Sequence, residues 1–336
     1  MPRRSRPGHS FQSALLIASI VSIASIKKMT TNNSLNGKSA DTEEWFDTVF
    51  TRPIGFQFAR FYAWVHATPN FVTWMSMILN VIGALFLLFD ADNLHGFLMN
   101  LLGVVLITIG NFHDSADGQL ARMTGQCSPM GRIFDGMASD VSYIAIYFVL
   151  FFRMFHHLIP GTSVEWGWIG FLLLVFDGLV CHVCQRRLSD YYRNMHLFML
   201  SDKPLSLRDT YVQQKAYYDS LTWKDNPAQK FCQFWYVPYM KAQEAETPHL
   251  QAMLRRMHDQ FGDNPPREVR EQYRLCSLPM MKWTNLQTYN LRAAALFVAC
   301  LIDQPWLCPV FEIVVLSAFY WWMRYHHERF CKTLFC

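Results

Sequence analysis

Charge is what this sequence has least of: only 17% of its 336 residues are Asp, Glu, Lys or Arg, against 51% apolar and 15% aromatic. Soluble domains carry roughly a quarter charged residues, so the composition points to a membrane protein. The formal net charge of +4 is small, and no Lys/Arg tract is interleaved with aromatics as a single-strand binder needs, which excludes nucleic acid as a partner. The nine cysteines are scattered and lack the paired spacing of a zinc site. Cys181 and Cys184 do flank His182 in a C-x-x-C, but within an apolar run they read as small buried hydrophobes, and no redox or zinc role is expected. Internal repeats and low-complexity runs are also missing.

What is present is long apolar runs. A bilayer-spanning helix takes about 20 such residues. Six segments qualify approximately: Phe71 to Phe89, His95 to Asn111, Val141 to Phe155, Trp166 to Val183, Tyr289 to Trp306 and Pro309 to Met323. The fold class expected is therefore all-α, a polytopic bundle of about six transmembrane helices. Lysine and arginine bias in the flanks orients it. Arg52 and Arg60 precede the first span, Arg122 and Arg132 follow the second, Arg186, Arg187 and Arg193 follow the fourth, and Arg324, Arg329 and Lys332 follow the last. Both termini and the loop over 112–134 are thereby expected on the cytoplasmic side, with Arg153 the one contrary residue.

The chain divides on the same grounds. Arg3, Arg4 and Arg6 followed by Ala14 to Ile26 look like a basic start and a short apolar run, but Lys27 and Lys28 follow with no small-residue cleavage site, and Met29 could equally be the natural start. Residues 1–43 are read as a disordered extension or as sequence upstream of the true start. Residues 44–68 mix Phe46, Phe50, Phe56, Phe58, Phe61 and Trp64 with Arg52 and Arg60, as an amphipathic helix lying in the interface would. Residues 69–185 hold four spans, and 284–336 the last two with a basic tail. Between them, 186–283 is polar and aromatic, too long for a simple loop, and is expected to be a helical cytoplasmic insertion.

Chemistry concentrates where the second span ends and the third begins. Asp114, Asp117, Gly118, Ala121 and Arg122 are followed by Gly131, Arg132 and Asp135, then by Ser139 and Asp140. Ionised carboxylates near hydrocarbon are costly and repel one another, so something cationic must hold them. Hard oxygen donors without His or thiolate select Mg²⁺ or Mn²⁺. Asp114 and Asp117 share a helix face, as do Gly131 and Asp135. One or two divalent ions between the two helices could clamp a diphosphate. Gly118 allows close backbone approach, Ala121 tight helix contact, and Arg122 offers a fork for phosphate. Intramembrane aspartates also line ion paths, so a cation transporter stays open as a reading of these residues.

The spacing D-x-x-D-G-x-x-A-R, about eight residues, G-x-x-x-D-x-x-x-D resembles the signature of the CDP-alcohol phosphotransferase family. Asp114, Asp117, Gly118, Ala121, Arg122, Gly131 and Asp135 match position for position, and Thr68, Pro69, Asn70 and Thr73 resemble a further family feature at the first span. The resemblance implies an integral membrane enzyme with its active site on the cytoplasmic face, dependent on Mg²⁺ or Mn²⁺. Asp114, Asp117, Asp135 and Asp140 would hold metal, with Asp135 and Asp140 catalytic. Gly118, Ala121, Arg122 and Gly131 would shape the site of the cytidine carrier. The implied reaction moves a phosphatidyl group from CDP-diacylglycerol to the hydroxyl of a polar alcohol and releases CMP. Transfer from CDP-choline or CDP-ethanolamine to a lipid alcohol is the alternative, and a non-catalytic membrane scaffold a third. Membrane lipids are partners in each case, and the resemblance leaves room for a homodimer.

One position departs from the pattern. The fourth Asp, which the family uses as general base, is due at 139, where this chain has Ser139 with Asp140 beside it. On a regular helix Asp140 lies about 100° off the Gly131/Asp135 face. A single π turn between Asp135 and Asp140 would absorb the extra residue, so a bulge is expected there, bringing Asp140 into the base role.

Overall fold

The computed structural model describes residues 40–201 and 203–334. The basic run and short apolar stretch near the N-terminus lie outside them. The compact unit Glu44–Cys336 is built of helices, with no β-sheet among its described residues. Helix α1 (Arg52–Trp64) is preceded by a π turn at Asp47–Thr51. Then come α2 (Pro69–Phe86), α3 (Leu94–Thr124), α4 (Pro129–Met154) and α5 (Gly167–Leu200). Four helices follow: α6 (Tyr211–Ser220), α7 (Pro227–Glu246), α8 (Pro248–Phe261) and α9 (Arg267–Leu286). The chain closes with α10 (Tyr289–Leu301) and α11 (Leu307–Thr333).

Five of these are long and apolar enough to cross a membrane: α2, α3, α4, α5 and α11. Only 28–33% of each apolar window is buried inside the protein, which leaves most of its surface for lipid. The chain is thus an integral membrane protein. The sixth segment marked by hydropathy, Tyr289 to Trp306, folds as a helix of 13 residues. That is about 20 Å of rise, short of the roughly 30 Å hydrocarbon core. Its end is set at Asp303, whose φ of 58° cannot continue a helix.

Local sequence fixes where the helices begin. The Thr68 hydroxyl accepts from the Phe71 amide (3.3 Å), Asn93 Oδ1 from Gly96 (3.0 Å) and Ser128 Oγ from Gly131 (2.9 Å), each satisfying a donor the first turn leaves unpaired. Helix α3 ends at Gly125, left-handed at φ 69°. Close crossing of α2 and α3 rests on small residues: a Cβ at Gly103 would come within 2.7 Å of the Gly83 carbonyl oxygen. In lipid such crossings replace the hydrophobic drive available in water.

Polar ties complete the bundle. Arg153, fully buried, donates to the Leu87 carbonyl (2.9 Å), Asn100 Oδ1 (2.6 Å), the Cys300 carbonyl (3.0 Å) and Asp303 Oδ1 (2.7 Å). The residue that ran against the charge bias is therefore an internal fastener joining α2, α3, α4 and the end of α10. Helices α5 and α11 each contain a π turn, at Asp177–His182 and Glu312–Leu316, and these face one another. Between them Glu312 meets Arg292 of α10 and His182 Nδ1 (3.1 Å), while Gln185 Nε2 donates to the Glu312 carbonyl (3.0 Å). Opposed charges in hydrogen-bonding contact remove the cost of carrying each alone.

Candidate active site at the junction of α3 and α4

Helix α3 has 31 residues, about 46 Å of rise, so it overruns the hydrocarbon. Asp114 lies twenty residues from its start, about 30 Å along. The carboxylates thus fall at the far edge of the apolar layer. Helix α4 begins four residues after Gly125 and returns alongside, which brings Asp135 back to the same level.

There the oxygens of Asp114, Asp117 and Asp135 converge, one from each side chain lying within 4.8 Å of the others. Asp117 is buried, and Asp114 and Asp135 are half-buried. At that separation each pair of like charges costs about 3 kcal/mol for an effective dielectric of roughly 20. A divalent cation accepted by the three would reverse the sign of that term. The donor set is oxygen only, so it fits Mg²⁺ or Mn²⁺ and does not suit zinc. Thr73 of α2 donates its hydroxyl to Asp117 Oδ2 and so holds the buried carboxylate in orientation. That contact was visible in the sequence only as a threonine near the start of the first span.

The glycines separate by the space around them. A Cβ at Gly118 would find nothing nearer than Arg122 Nη1, at an ordinary 3.5 Å, so packing within the chain does not demand glycine there. The open space above it suits a ligand approaching the backbone. At Gly131 a Cβ would sit 3.1 Å from Ser128 Oγ, the cap of its own helix, which gives that glycine a local reason. Ala121 is half-buried and Arg122 exposed on the following turn of α3.

Asp140 does not join the three. The bulge expected between Asp135 and Asp140 is absent, because α4 runs as a regular α-helix from Pro129 to Met154. The π turns among the described residues lie elsewhere, at Asp47–Thr51 before α1 and within α5 and α11. Without the bulge the Asp140 carboxylate projects off the Asp135 face and is engaged by two other helices. Arg186 of α5 pairs with Oδ1 and also donates to the Gly136 carbonyl (3.3 Å), and Trp235 of α7 donates its indole N–H to Oδ2 (3.0 Å). Expected as a fourth metal ligand, Asp140 is not among the three carboxylates that converge. Nor are Arg186 and Arg187 simple flanking charges: Arg187 pairs with Glu246 of α7. At the start of α4, Arg132 reaches Asp209 (3.0 Å), so the segment after α5 grips α4 at two points.

Residues 66–197 match the family described as CDP-alcohol phosphatidyltransferase. Over 124 residues the chain is 33% identical to a phosphatidylinositol phosphate synthase of Cutibacterium acnes, a match covering 35% of this chain and 52% of that protein. The chain therefore spans about half the length of this curated relative. No solved structure matches it. The matched residues include all three converging carboxylates and stop before α6.

Proposed function

We propose, on the premise that residues 66–197 form a CDP-alcohol phosphatidyltransferase domain, that this protein transfers a phosphatidyl group from CDP-diacylglycerol to the hydroxyl of a polar alcohol, releasing CMP. The observation that carries the reading is the convergence of Asp114, Asp117 and Asp135, which the length of α3 puts at the edge of the apolar layer. A donor with a diacyl tail and a cytidine diphosphate head needs its two phosphates at that level, where water and hydrocarbon meet. The relative that binds this reading to a reaction class is named a phosphatidylinositol phosphate synthase.

Asp114, Asp117 and Asp135 would hold Mg²⁺ or Mn²⁺. When bound, the ion supplies charge neutralisation for the diphosphate and for the departing phosphate oxygens. Thr73 keeps Asp117 aimed inward, Gly118 leaves room at the backbone, and Arg122 offers its guanidinium to the carrier. The half-buried setting of the carboxylates limits water, which favours an alcohol over hydrolysis. The active site would open to the cytoplasmic face, in line with the arginine bias of the flanks.

Asp140 is assigned as acceptor of the proton that the attacking hydroxyl loses, under a condition its surroundings set. Arg186 and Trp235 hold the carboxylate, so an incoming acceptor must first open that contact. An acceptor bearing its own negative charge would do so by drawing the guanidinium of Arg186 to itself. Turnover of Asp140→Asn against Ser139→Ala tests this: the first should fall about 100-fold or more and the second little. Unchanged turnover in Asp140→Asn would remove the assignment.

The same engagement of Asp140 favours a second reading, a membrane scaffold whose site no longer turns over. Incubating the full-length protein in lipid nanodiscs with labelled CDP-diacylglycerol, CDP-choline or CDP-ethanolamine and Mg²⁺ separates the possibilities. CMP released from the first carrier supports the proposal, release from either of the others redirects it to lipid-alcohol acceptors, and release from none supports the scaffold.

A further inference from the structure

Helix α7 has its polarity reversed. Its inward face presents Lys230, Gln233 and Gln243 among Cys232, Val237 and Met240. These polar groups are used inside: Lys230 Nζ donates to the carbonyls of Tyr218 (2.7 Å) and Leu221 (3.0 Å), and Gln243 Nε2 to that of Arg187 (3.1 Å). The outward face carries Pro227, Ala228, Phe231, Phe234, Trp235, Pro238, Lys241 and Ala245, all exposed. Lys241 is the sole charge on that face. Phe231 is 51% exposed, Phe234 56% and Trp235 46%. A helix that keeps lysine and glutamine inside and sets phenylalanine outside is arranged for an apolar surrounding, since water would favour the opposite placement.

The level of this face is fixed by one hydrogen bond. Trp235 donates to Asp140, which is five residues beyond Asp135 along α4, or about 7.5 Å farther from the carboxylate end. From there the same helix runs on through Val141, Ile144 and Phe148, all exposed and apolar. The aromatic face of α7 is therefore continuous with the lipid-facing surface of α4 and lies on the bilayer side of the three carboxylates. Tryptophan and phenylalanine at that depth are what interfacial anchoring uses. We propose that α7 is embedded in the lipid interface of the leaflet at the carboxylate end, its Phe231, Phe234 and Trp235 among lipid chains, as a strut against α4 rather than part of a domain in water. This rests on the placement of α7 and is independent of the reaction assigned to the site.

The test is depth measurement on the full-length protein in phosphatidylcholine nanodiscs. With the exposed thiols Cys127 and Cys276 changed to serine, spin labels are placed through Phe231→Cys and Phe234→Cys, and through Arg255→Cys and His258→Cys on α8. Collisions with oxygen should exceed those with a water-soluble nickel chelate at 231 and 234, and the order should invert at 255 and 258. Chelate collisions at 231 and 234 matching those at 258 would overturn the proposal. So would exclusion of both agents together with dipolar coupling between labels on two chains, which means a second copy covers the face. Should the labelled variants fail to assemble, brominated phosphatidylcholine gives a second measurement. The fluorescence difference between wild type and Trp235→Phe should be quenched by it, and an unquenched difference would refute the embedding.

Discussion

Helices α7 and α8 are adjacent in the chain, separated by Thr247 alone, and differ in what they bury and expose. Helix α8 encloses Leu250, Met253, Leu254 and Met257 and exposes His249, Arg255, His258 and Asp259, the order expected in water. Helix α7 encloses lysine and glutamines and exposes phenylalanine and tryptophan. The segment after α5 is thus not of one nature. Helix α7 belongs with the membrane bundle, being seated on α4 through Trp235 and Asp140 and on α5 through Glu246 and Arg187. Helix α8, with α9 and α11, builds a methionine- and tyrosine-rich core of ordinary polarity.

Breaking the α8 side should show the largest effect. Met253 is completely buried in that core, so Met253→Ala should cost about 2–5 kcal/mol, read as a lowered unfolding midpoint in detergent. Phe234→Ala on the outer face of α7 should leave the same midpoint nearly unmoved, because it vacates no cavity. A comparable loss there would mean the face is packed by protein. Trp235→Phe removes the indole donor from Asp140 while keeping a ring, and about 1–2 kcal/mol should be lost, as for a hydrogen bond to a charged group with one end exposed. The partner variant Asp140→Asn should abolish most of that difference in a double-mutant cycle. Arg255→Ala, on the solvated face of α8, should stay within about 0.5 kcal/mol of wild type.

The smallest effect is a pH dependence. Asp263, just after α8, accepts from the Ser206 hydroxyl and the Ser206 amide, both at 2.6 Å. Those bonds hold its carboxyl below the usual carboxylate value. A depressed pKa contributes stability that is present above the unfolded value and lost as the pH falls through the folded one. Hydrogen exchange of the segment around Leu205 to Arg208 should therefore stay protected down through the ordinary carboxylate range and quicken only below it, whereas Asp263→Asn should exchange faster already at neutral pH.

Five of the six expected spans and the three converging aspartates were legible from the sequence, for physical reasons. Long apolar runs have few other uses, and D-x-x-D on one helix with an acidic residue on the next leaves little choice about which faces meet. Asp140 was not legible. A one-residue offset can be absorbed by a bulge or left as a rotation, and the choice depends on which neighbours can receive the side chain. Here Arg186 and Trp235 receive it, and both lie far along the chain. The role of Arg153 was hidden for the same reason, since its four acceptors come from three other segments. The reversed polarity of α7 is periodic in the sequence, but periodicity gives two faces without saying which looks inward. Tyr289 to Trp306 read as a span on hydropathy alone, although Arg292 within it is buried against Glu312 and Gln185.

Binding of Mn²⁺ to the full-length protein in nanodiscs, followed by the loss of its free-ion electron paramagnetic resonance signal, tests most directly whether the three carboxylates hold a metal. Wild type should bind the ion and be displaced by Mg²⁺, Asp117→Ala should bind at least about tenfold more weakly, and Asp140→Asn should bind as wild type does. Equal Mn²⁺ affinity in wild type and Asp117→Ala would contradict the assignment of Asp114, Asp117 and Asp135 as the metal site.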